Sequence, residues 1–156
     1  MRTISMLAAA AILSLGSASA APARVTEEFG SAKDAEALVA KGAAYVKKVG
    51  AHKAYEEINA KAPGWVDRDL YLTVYDLEGK CLAQGANPKM VGKDLIDLRD
   101  ADGKPFIKER IDLAREKSSF WQDYKWTDPV SRKVMAKTTY CERHESTVLC
   151  VGLYKR

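Results

Sequence analysis

The sequence predicts an α+β fold in which five antiparallel strands form one sheet. A long N-terminal helix covers one face of this sheet, and a helix and loop insertion covers the other. Apolar residues of the first third recur at three- and four-residue spacing, which is typical of helices. Several later segments alternate with period two and are separated by turn residues, which is typical of antiparallel hairpins.

The first residues have the pattern of a signal peptide. Arg2 is followed by an uncharged apolar run at 4–15, and Ser-Ala-Ser-Ala at 17–20 supplies the small residues that a signal peptidase reads. The run is shorter than the roughly 20 residues that a membrane-spanning helix needs. We therefore predict a signal peptide at 1–20, cleaved after Ala20.

Two alternatives remain open for this segment: cleavage after Ala23, or retention of the segment as a membrane anchor. Cleavage would leave a linker at 21–30 and one domain at 31–156, in a bacterial periplasm. The length of that domain is sufficient to bury a core without depending on disulfides.

Charge and composition exclude several classes of function. The net charge is +4, but acidic and basic residues are interspersed and form no basic block, so nucleic-acid binding is not expected. The three cysteines are too far apart for a CxxC motif, and neither His52 nor His144 is followed by a second histidine at a metal-ligand spacing. The sequence predicts no metal site, no cofactor and no catalytic residue.

Two helices are predicted before the first strand. Ser31, with Asp34 three residues later, is a helix-start signal, and Gly50 ends the long helix that follows. A shorter helix carrying Tyr55 and Ile58 comes next. The long helix has one apolar stripe, formed by Ala35, Leu38, Val39, Gly42, Tyr45, Val46 and Val49.

The stretch YLTVYDLEGKCLAQG (71–85) predicts a hairpin, because Asp76 and Gly79 occupy the first and fourth positions of a turn. Its first strand has two unlike faces. The aliphatic face carries Leu70, Leu72 and Val74, and the other carries Tyr71, Thr73 and Tyr75. We expect the aliphatic face to pack on the long helix.

The remaining strands are predicted at 119–126, 133–142 and 147–154, with a helix that begins near Pro105. The insertion at 85–117 would cover the tyrosine face of the sheet. A cover made largely of loop and one short helix fills the space above the sheet less completely than a long helix does. We therefore expect a pocket on the tyrosine face, where a polar ligand could satisfy buried phenols.

Four stretches of the chain together resemble the single Cache domain family. They are DLYLTVYDLEGKCLAQGANPKMVGKDL, DADGKPFIKE, FWQDYKWTDP and KTTYCERHESTVLCVGLYK. The resemblance covers about residues 31–155. The motifs are specific in combination, whereas any one of them alone would be weak. It implies a PAS-like sheet with a long N-terminal helix, and an extracytoplasmic module that senses small molecules, often short organic acids.

Members of this family usually precede a membrane helix and a kinase or chemotaxis transducer. This chain ends two residues after Tyr154, so we expect a module that acts through a separate protein. The expected partners are a carboxylate-type ligand and a membrane receptor, kinase or transporter component. The module itself is expected to be a monomer or weak dimer.

Candidate ligand-binding residues lie on three predicted strands. They are Tyr71, Thr73, Tyr75, Tyr124, Trp126, Lys137 and Tyr140. For the aromatic residues an ordinary role in the core is an equal alternative. Lys137 and Tyr140 point to opposite faces of a regular strand, so without a bulge only one of them can line the pocket, and we prefer Lys137 as the partner of an anion.

The last hairpin predicts a disulfide between Cys141 and Cys150. A two-residue turn at Glu145-Ser146 pairs 141 with 150 at a non-hydrogen-bonded site, where Cα atoms are roughly 4.5 Å apart. A turn of three or five residues would shift this register. Cys81 is then left as a buried free thiol.

A sensor-type binding module is therefore the leading function, and two alternatives stay open. A structural or adaptor envelope protein would have a collapsed pocket and an exposed apolar patch. A hydrolase or thiol enzyme would need a nucleophile with a base within hydrogen-bonding reach.

Overall fold

The computed structural model describes residues 28–156, so the signal peptide predicted at 1–20 and most of the linker predicted at 21–30 lie outside the described residues. The helices are α1 (Ala32–Val49), α2 (Ala51–Asn59) and α3 (Phe106–Glu116). The strands are β1 (Val66–Asp67), β2 (Leu70–Asp76), β3 (Cys81–Gln84), β4 (Ser119–Thr127), β5 (Val134–His144) and β6 (Thr147–Tyr154). No helix of this described part is long and apolar enough to cross a membrane.

The predicted α+β fold with an antiparallel sheet is confirmed, with one additional short strand. The strand order is β1-β2-β6-β5-β4, and β3 pairs with the same edge of β2 as β1 does. The additional strand is β1, whose Val66 and Asp67 pair with Tyr71 and Leu70. Two residues are too few to show an alternating pattern, so this strand could not be predicted from the sequence.

Helix α1 covers the aliphatic face of the sheet, as predicted. It begins with a capping box, in which the Ser31 hydroxyl accepts from the Asp34 backbone N–H and the Asp34 carboxylate accepts from the Ser31 backbone N–H. Gly42 allows the close approach, because a Cβ there would lie 2.6 Å from Leu72 Cδ2. The aliphatic residues of β2 are completely buried beneath this helix.

The insertion covers the opposite face with a second, separate core. Helix α3 buries Phe106, Ile107, Ile111 and Ala114 against β4, β5 and the insertion itself, as the sequence predicts. The loop before α3 also protects the exposed edge of β4. Asp100 accepts from the Lys125 backbone N–H at 3.0 Å, and Lys104 donates to the Asp123 carbonyl at 2.7 Å. These two bonds fix the insertion to the sheet at its edge.

The last hairpin has the predicted register. His144 pairs with Thr147 across the two-residue turn, and Cys141 therefore lies opposite Cys150. These two cysteines form a disulfide, with their Cα atoms 4.2 Å apart. Cys81 is a buried free thiol, as predicted.

An ion pair with a buried carboxylate connects the end of the described chain to the loop after β4. Both guanidinium Nη atoms of Arg156 donate to the completely buried carboxylate of Asp128, at 2.9 and 3.1 Å. The same guanidinium lies 3.9 Å over the ring of Phe29, and Asp69 accepts from the Gly30 backbone N–H at 2.8 Å. Three segments that are distant in sequence thus meet beside the end of β4.

Loss of the disulfide should weaken the fold moderately. We expect the Cys141→Ser/Cys150→Ser variant to lose about 2–3 kcal/mol of unfolding free energy, because the closed loop is short. Urea denaturation with and without reductant measures this. Reductant should destabilise the wild type but leave the double variant unchanged, and an equal response in both would contradict the pairing.

Loss of the Asp128–Arg156 pair should leave a buried carboxylate without its partner. We expect Arg156→Ala to cost about 1–3 kcal/mol at pH 7, whereas Lys133→Ala in the neighbouring exposed loop should be nearly neutral. Hydrogen bonds from Arg156 lower the pKa of Asp128, so the stability that the pair contributes is present above about pH 4 and declines as pH falls toward the folded-state pKa. Urea denaturation should show a smaller difference in unfolding free energy between Arg156→Ala and the wild type at pH 3 than at pH 7. An equal difference at both pH values would contradict this.

Candidate ligand-binding cavity

A cavity of about 280 Å³ lies between the tyrosine face of the sheet and the insertion, where the sequence predicts a pocket. Strands β2, β4, β5 and β6 form its floor. Helix α3 and the segment between β3 and α3 form its other walls. Two buried cationic side chains, Lys137 and Arg110, enter it from opposite layers.

Lys137 extends from β5 and is only 2% exposed. Its Nζ donates to the Tyr71 hydroxyl at 2.8 Å and to the Tyr154 hydroxyl at 3.5 Å. It also lies 4.6 and 4.5 Å from the centres of the same two rings. Burial disfavours the charged lysine, but the nearby Tyr124 and Tyr71 phenols outweigh burial and raise the pKa of Lys137, so it is a cation at neutral pH.

Gly152 makes room for this lysine on the neighbouring strand β6. A Cβ at Gly152 would overlap Lys137 Cε and would lie 2.6 Å from Thr139 Oγ1. The absence of a side chain at this position therefore lets Lys137 lie flat over β6 toward Tyr71 and Tyr154.

Arg110 extends from α3 and is 1% exposed. Its Nε donates to Gln122 Oε1 at 3.0 Å, and its Nη1 donates to the Tyr75 hydroxyl at 3.4 Å. The guanidinium lies 5.1 to 5.5 Å from three aromatic ring centres, those of Tyr75, Phe106 and Tyr124. Gln122 is itself fixed, because its Nε2 donates to the Phe106 carbonyl at 2.8 Å.

Two buried side-chain atoms of the described residues make no hydrogen bond, and both belong to residues that line the cavity. They are Arg110 Nη2 and Thr139 Oγ1. No aspartate or glutamate is among the described residues that line the cavity. The cavity therefore holds two positive charges, a free guanidinium donor and a free hydroxyl, without a carboxylate of the chain to pair them.

The phenols differ in their ionisation. Burial raises the pKa of Tyr71 to about 12, and burial also raises the pKa of Tyr75 well above its ordinary value. Burial would raise the pKa of Tyr124 too, but the positive charges of Lys137 and Arg110 outweigh burial and lower it to about 8. Tyr71 and Tyr75 are thus neutral hydrogen-bonding groups at physiological pH.

The rest of the lining is aromatic or apolar. The Tyr124 ring stacks on Phe106 at 4.5 Å, and Trp126 lies tilted against the same Phe106 at 5.3 Å. The insertion adds aliphatic side chains: Met90, Leu95, Leu98 and Ile107. Asn87 also lines the cavity, but its Oδ1 accepts from the Lys89 backbone N–H, which is the turn-building role that the sequence suggests for an Asn before Pro.

The structure brings six of the seven candidate residues together around the cavity. They are Tyr71, Thr73, Tyr75, Tyr124, Trp126 and Lys137. The prediction for Tyr140 is wrong, because it lies on the opposite face of β5 from Lys137. There its hydroxyl donates to Glu142 at 2.7 Å and its ring contacts Trp121. Strand β5 is paired in one continuous register without a bulge, so both residues cannot face the cavity.

Sequence reasoning missed Arg110, Thr139 and Gly152. Arg110 had a detectable signal, since it lies within the apolar stripe of α3, beside Ile107 and Ile111. One charged residue in an otherwise buried stripe indicates a paired or ligand-binding charge. The role of Gly152 depends on the lysine of a neighbouring strand, which no local pattern reveals.

A sheet with a helical layer on one face and a cavity beneath an insertion on the other defines a PAS-like domain. The family model "Single Cache domain 2" matches residues 25–154. The chain belongs to the single Cache domain family, whose members are extracytoplasmic sensory domains.

Individual relatives agree with this assignment. The methyl-accepting chemotaxis protein McpP of Pseudomonas putida is 36% identical over 76 residues, which cover 49% of this chain and 14% of McpP. The chain thus matches only a small part of that protein. A periplasmic sensor domain of a chemotaxis protein is 26% identical, with a TM-score of 0.63 and coverage of 80% of this chain and 90% of that one.

Two further solved structures share the fold. A methyl-accepting chemotaxis protein from Vibrio parahaemolyticus is 24% identical, with a TM-score of 0.68 over 78% of this chain and 86% of that one. A Cache chemosensory domain, solved to explain carboxylic acid recognition, is 20% identical, with a TM-score of 0.66 over 80% of this chain and 92% of that one.

A side chain at position 152 should displace Lys137. We expect Gly152→Ala to lose about 1–3 kcal/mol of unfolding free energy through overpacking. Because Lys137 is the larger obstacle, adding Lys137→Ala to Gly152→Ala should recover part of this loss. A double-mutant cycle measured by urea denaturation tests the contact, and strictly additive effects would contradict it.

Proposed function

We propose that this domain binds a small carboxylate anion in the cavity, without turnover, and transmits its bound state to a separate protein. The observation that carries the proposal is the pair of buried cations, Arg110 and Lys137, in a cavity without a lining carboxylate. Burying charge is costly unless an opposite charge or hydrogen bonds compensate it. A bound anion would supply that compensation.

The donors around the two cations suit a carboxylate. Arg110 has an unused Nη2, and charge-assisted hydrogen bonds from guanidinium to carboxylate are among the stronger ones. Lys137 Nζ and the neutral phenols of Tyr71 and Tyr75 offer further donors. Thr73, beside them on β2, and the free hydroxyl of Thr139 complete the polar side.

The size and the apolar wall limit the ligand further. At about 280 Å³ the cavity is at the lower end of the range of roughly 300–1,000 Å³ for small-molecule sites. Trp126 and the aliphatic side chains of the insertion would contact a short carbon chain. A carboxylic acid of two to four carbons fits both constraints, and carboxylic acid recognition by a Cache domain of the same fold supports it.

The two alternative functions have less support. A thiol enzyme would need a base near Cys81, but burial raises the pKa of this thiol to about 11, and its nearest hydrogen-bond partner is the Ala83 carbonyl. No histidine is among the described residues that line the cavity. A purely structural protein has no need of a charged cavity, which costs stability.

We further propose that the signal peptide at 1–20 is cleaved after Ala20 and that the domain at 31–156 functions in the periplasm. The extracytoplasmic setting of Cache domains supports this, and the Cys141–Cys150 disulfide suits an oxidising compartment. The partner would be a membrane receptor, kinase or transporter component, by analogy with relatives that are chemoreceptors. The domain itself would be a monomer or weak dimer.

The binding proposal predicts a specific pattern of thermal shifts. Acetate, propionate or pyruvate at about 100 times its dissociation constant should add roughly 2.7 kcal/mol to the unfolding free energy of the wild type. Arg110→Gln and Lys137→Met should each weaken that binding at least tenfold, because each removes a charged donor worth about 1.5–3 kcal/mol. Calorimetric titration gives the affinities directly.

The matched control is a pair of phenol deletions on opposite faces. Tyr71→Phe removes a hydroxyl that faces the cavity, and Tyr140→Phe removes one that does not. Only Tyr71→Phe should weaken the affinity. If no short acid stabilises the wild type, or if Arg110→Gln and Lys137→Met bind as tightly as the wild type, the proposal is wrong.

A further inference from the structure

The cavity raises a question of charge balance when no external anion is bound. Arg110 and Lys137 are both almost fully buried, and no described carboxylate lines the cavity. Apart from the buried thiol of Cys81, the acidic groups of the lining are phenols. One of them must therefore supply any negative charge that the chain itself contributes.

Among the phenols of the lining, Tyr124 lies beside both cations. It is the cross-strand partner of Lys137 in the β4–β5 register, so the two side chains leave the same face at neighbouring positions. The guanidinium of Arg110 lies 5.1 Å from the centre of its ring. Stacking on Phe106 fixes the plane of that ring. By contrast, Tyr71 contacts Lys137 and Tyr75 contacts Arg110, one cation each.

We propose that Tyr124 is the titratable counter-ion of this site: in alkaline solution its phenolate faces Arg110 and Lys137 in the ligand-free cavity, and it takes up one proton from solvent when a carboxylate binds. This inference rests on the proposed function, because the external anion is the proposed carboxylate. The exchange is balanced in charge. The carboxylate brings one negative charge into the cavity, and protonation of the phenolate removes one.

The titratable groups around Tyr124 support this assignment. They are Arg110 from α3, Lys137 from β5, Tyr71 and Tyr75 from β2, and Tyr154 from β6. Burial alone would raise the pKa of Tyr124, but the two cations lower it to about 8. Burial raises the pKa of the other three phenols above the ordinary value, so they stay protonated where Tyr124 ionises.

The direction of the pH effect follows from linkage. Below about pH 8 Tyr124 is a neutral phenol, and a carboxylate binds without proton exchange. Above it the phenolate competes for the same two cations, so affinity falls by up to tenfold for each further pH unit. The ligand does not titrate in this range, because carboxylic acids ionise at about pH 4–5. Propionate should therefore bind about tenfold more weakly at pH 9 than at pH 7.

Two measurements on the mature chain test the proposal. Phenolate absorbs near 295 nm, so a pH titration of the ligand-free protein should show one early tyrosine step near pH 8 among its seven tyrosines. That step should be missing in Tyr124→Phe and retained in Tyr140→Phe, whose phenol lies on the other face of the sheet. Saturating propionate should move the step to higher pH.

Calorimetric titration of propionate at pH 8.5, in buffers of different ionisation enthalpy, should show proton uptake by the wild type and none by Tyr124→Phe. Equal affinity of the wild type at pH 7 and pH 9, or an early step that persists in Tyr124→Phe, would overturn the proposal. If no carboxylate binds at any pH, the proposed function is wrong. The protonation of Tyr124 on ligand binding is then wrong as well. The absorbance step of the ligand-free protein still decides separately whether Tyr124 is the counter-ion.

Discussion

The burial of two positive charges beneath the insertion is the constraint on which the rest of this structure depends. Arg110 and Lys137 approach each other from α3 and from the sheet, each with less than a few per cent of its surface exposed. Like charges in a low-dielectric interior repel, so the layers that carry them need other forces to stay together. Aromatic rings meet this need: three surround the guanidinium, and two flank the ammonium.

Register is the second requirement, because it decides which face each charge occupies. The period of a strand is two, so a slip of one residue in β5 would turn Lys137 toward α1 and Tyr140 toward the cavity. The Cys141–Cys150 disulfide opposes such a slip four residues from the lysine. The Glu-Ser turn of this hairpin lacks the glycine or asparagine that usually specifies a tight turn, so the covalent link has a clear structural use.

Periodicity in the sequence was sufficient for the fold and for most of the candidate site. Alternation in YLTVYD separates the α1 face from the cavity face, and the two-residue turn at Glu145-Ser146 gives the register of the disulfide. Strand β1 could not be predicted, because two residues have no period. Arg110 could have been found as a charge within the apolar stripe of α3. Gly152 could not, because its role is a contact across strands whose pairing must be known first.

Contacts of the cavity continue to the start and end of the described chain. The Tyr154 hydroxyl accepts from Lys137 and donates to the Thr127 carbonyl at 2.8 Å. The next residue, Asp128, accepts a hydrogen bond from Arg156. The guanidinium of Arg156 lies over the ring of Phe29, just before α1. Lys137 thus contacts both Tyr71 and Tyr154, and the backbone at Thr127 connects Tyr154 to the Asp128–Arg156 ion pair. These contacts join the cavity lining to the segment just before α1, the helix that covers the opposite face of the sheet.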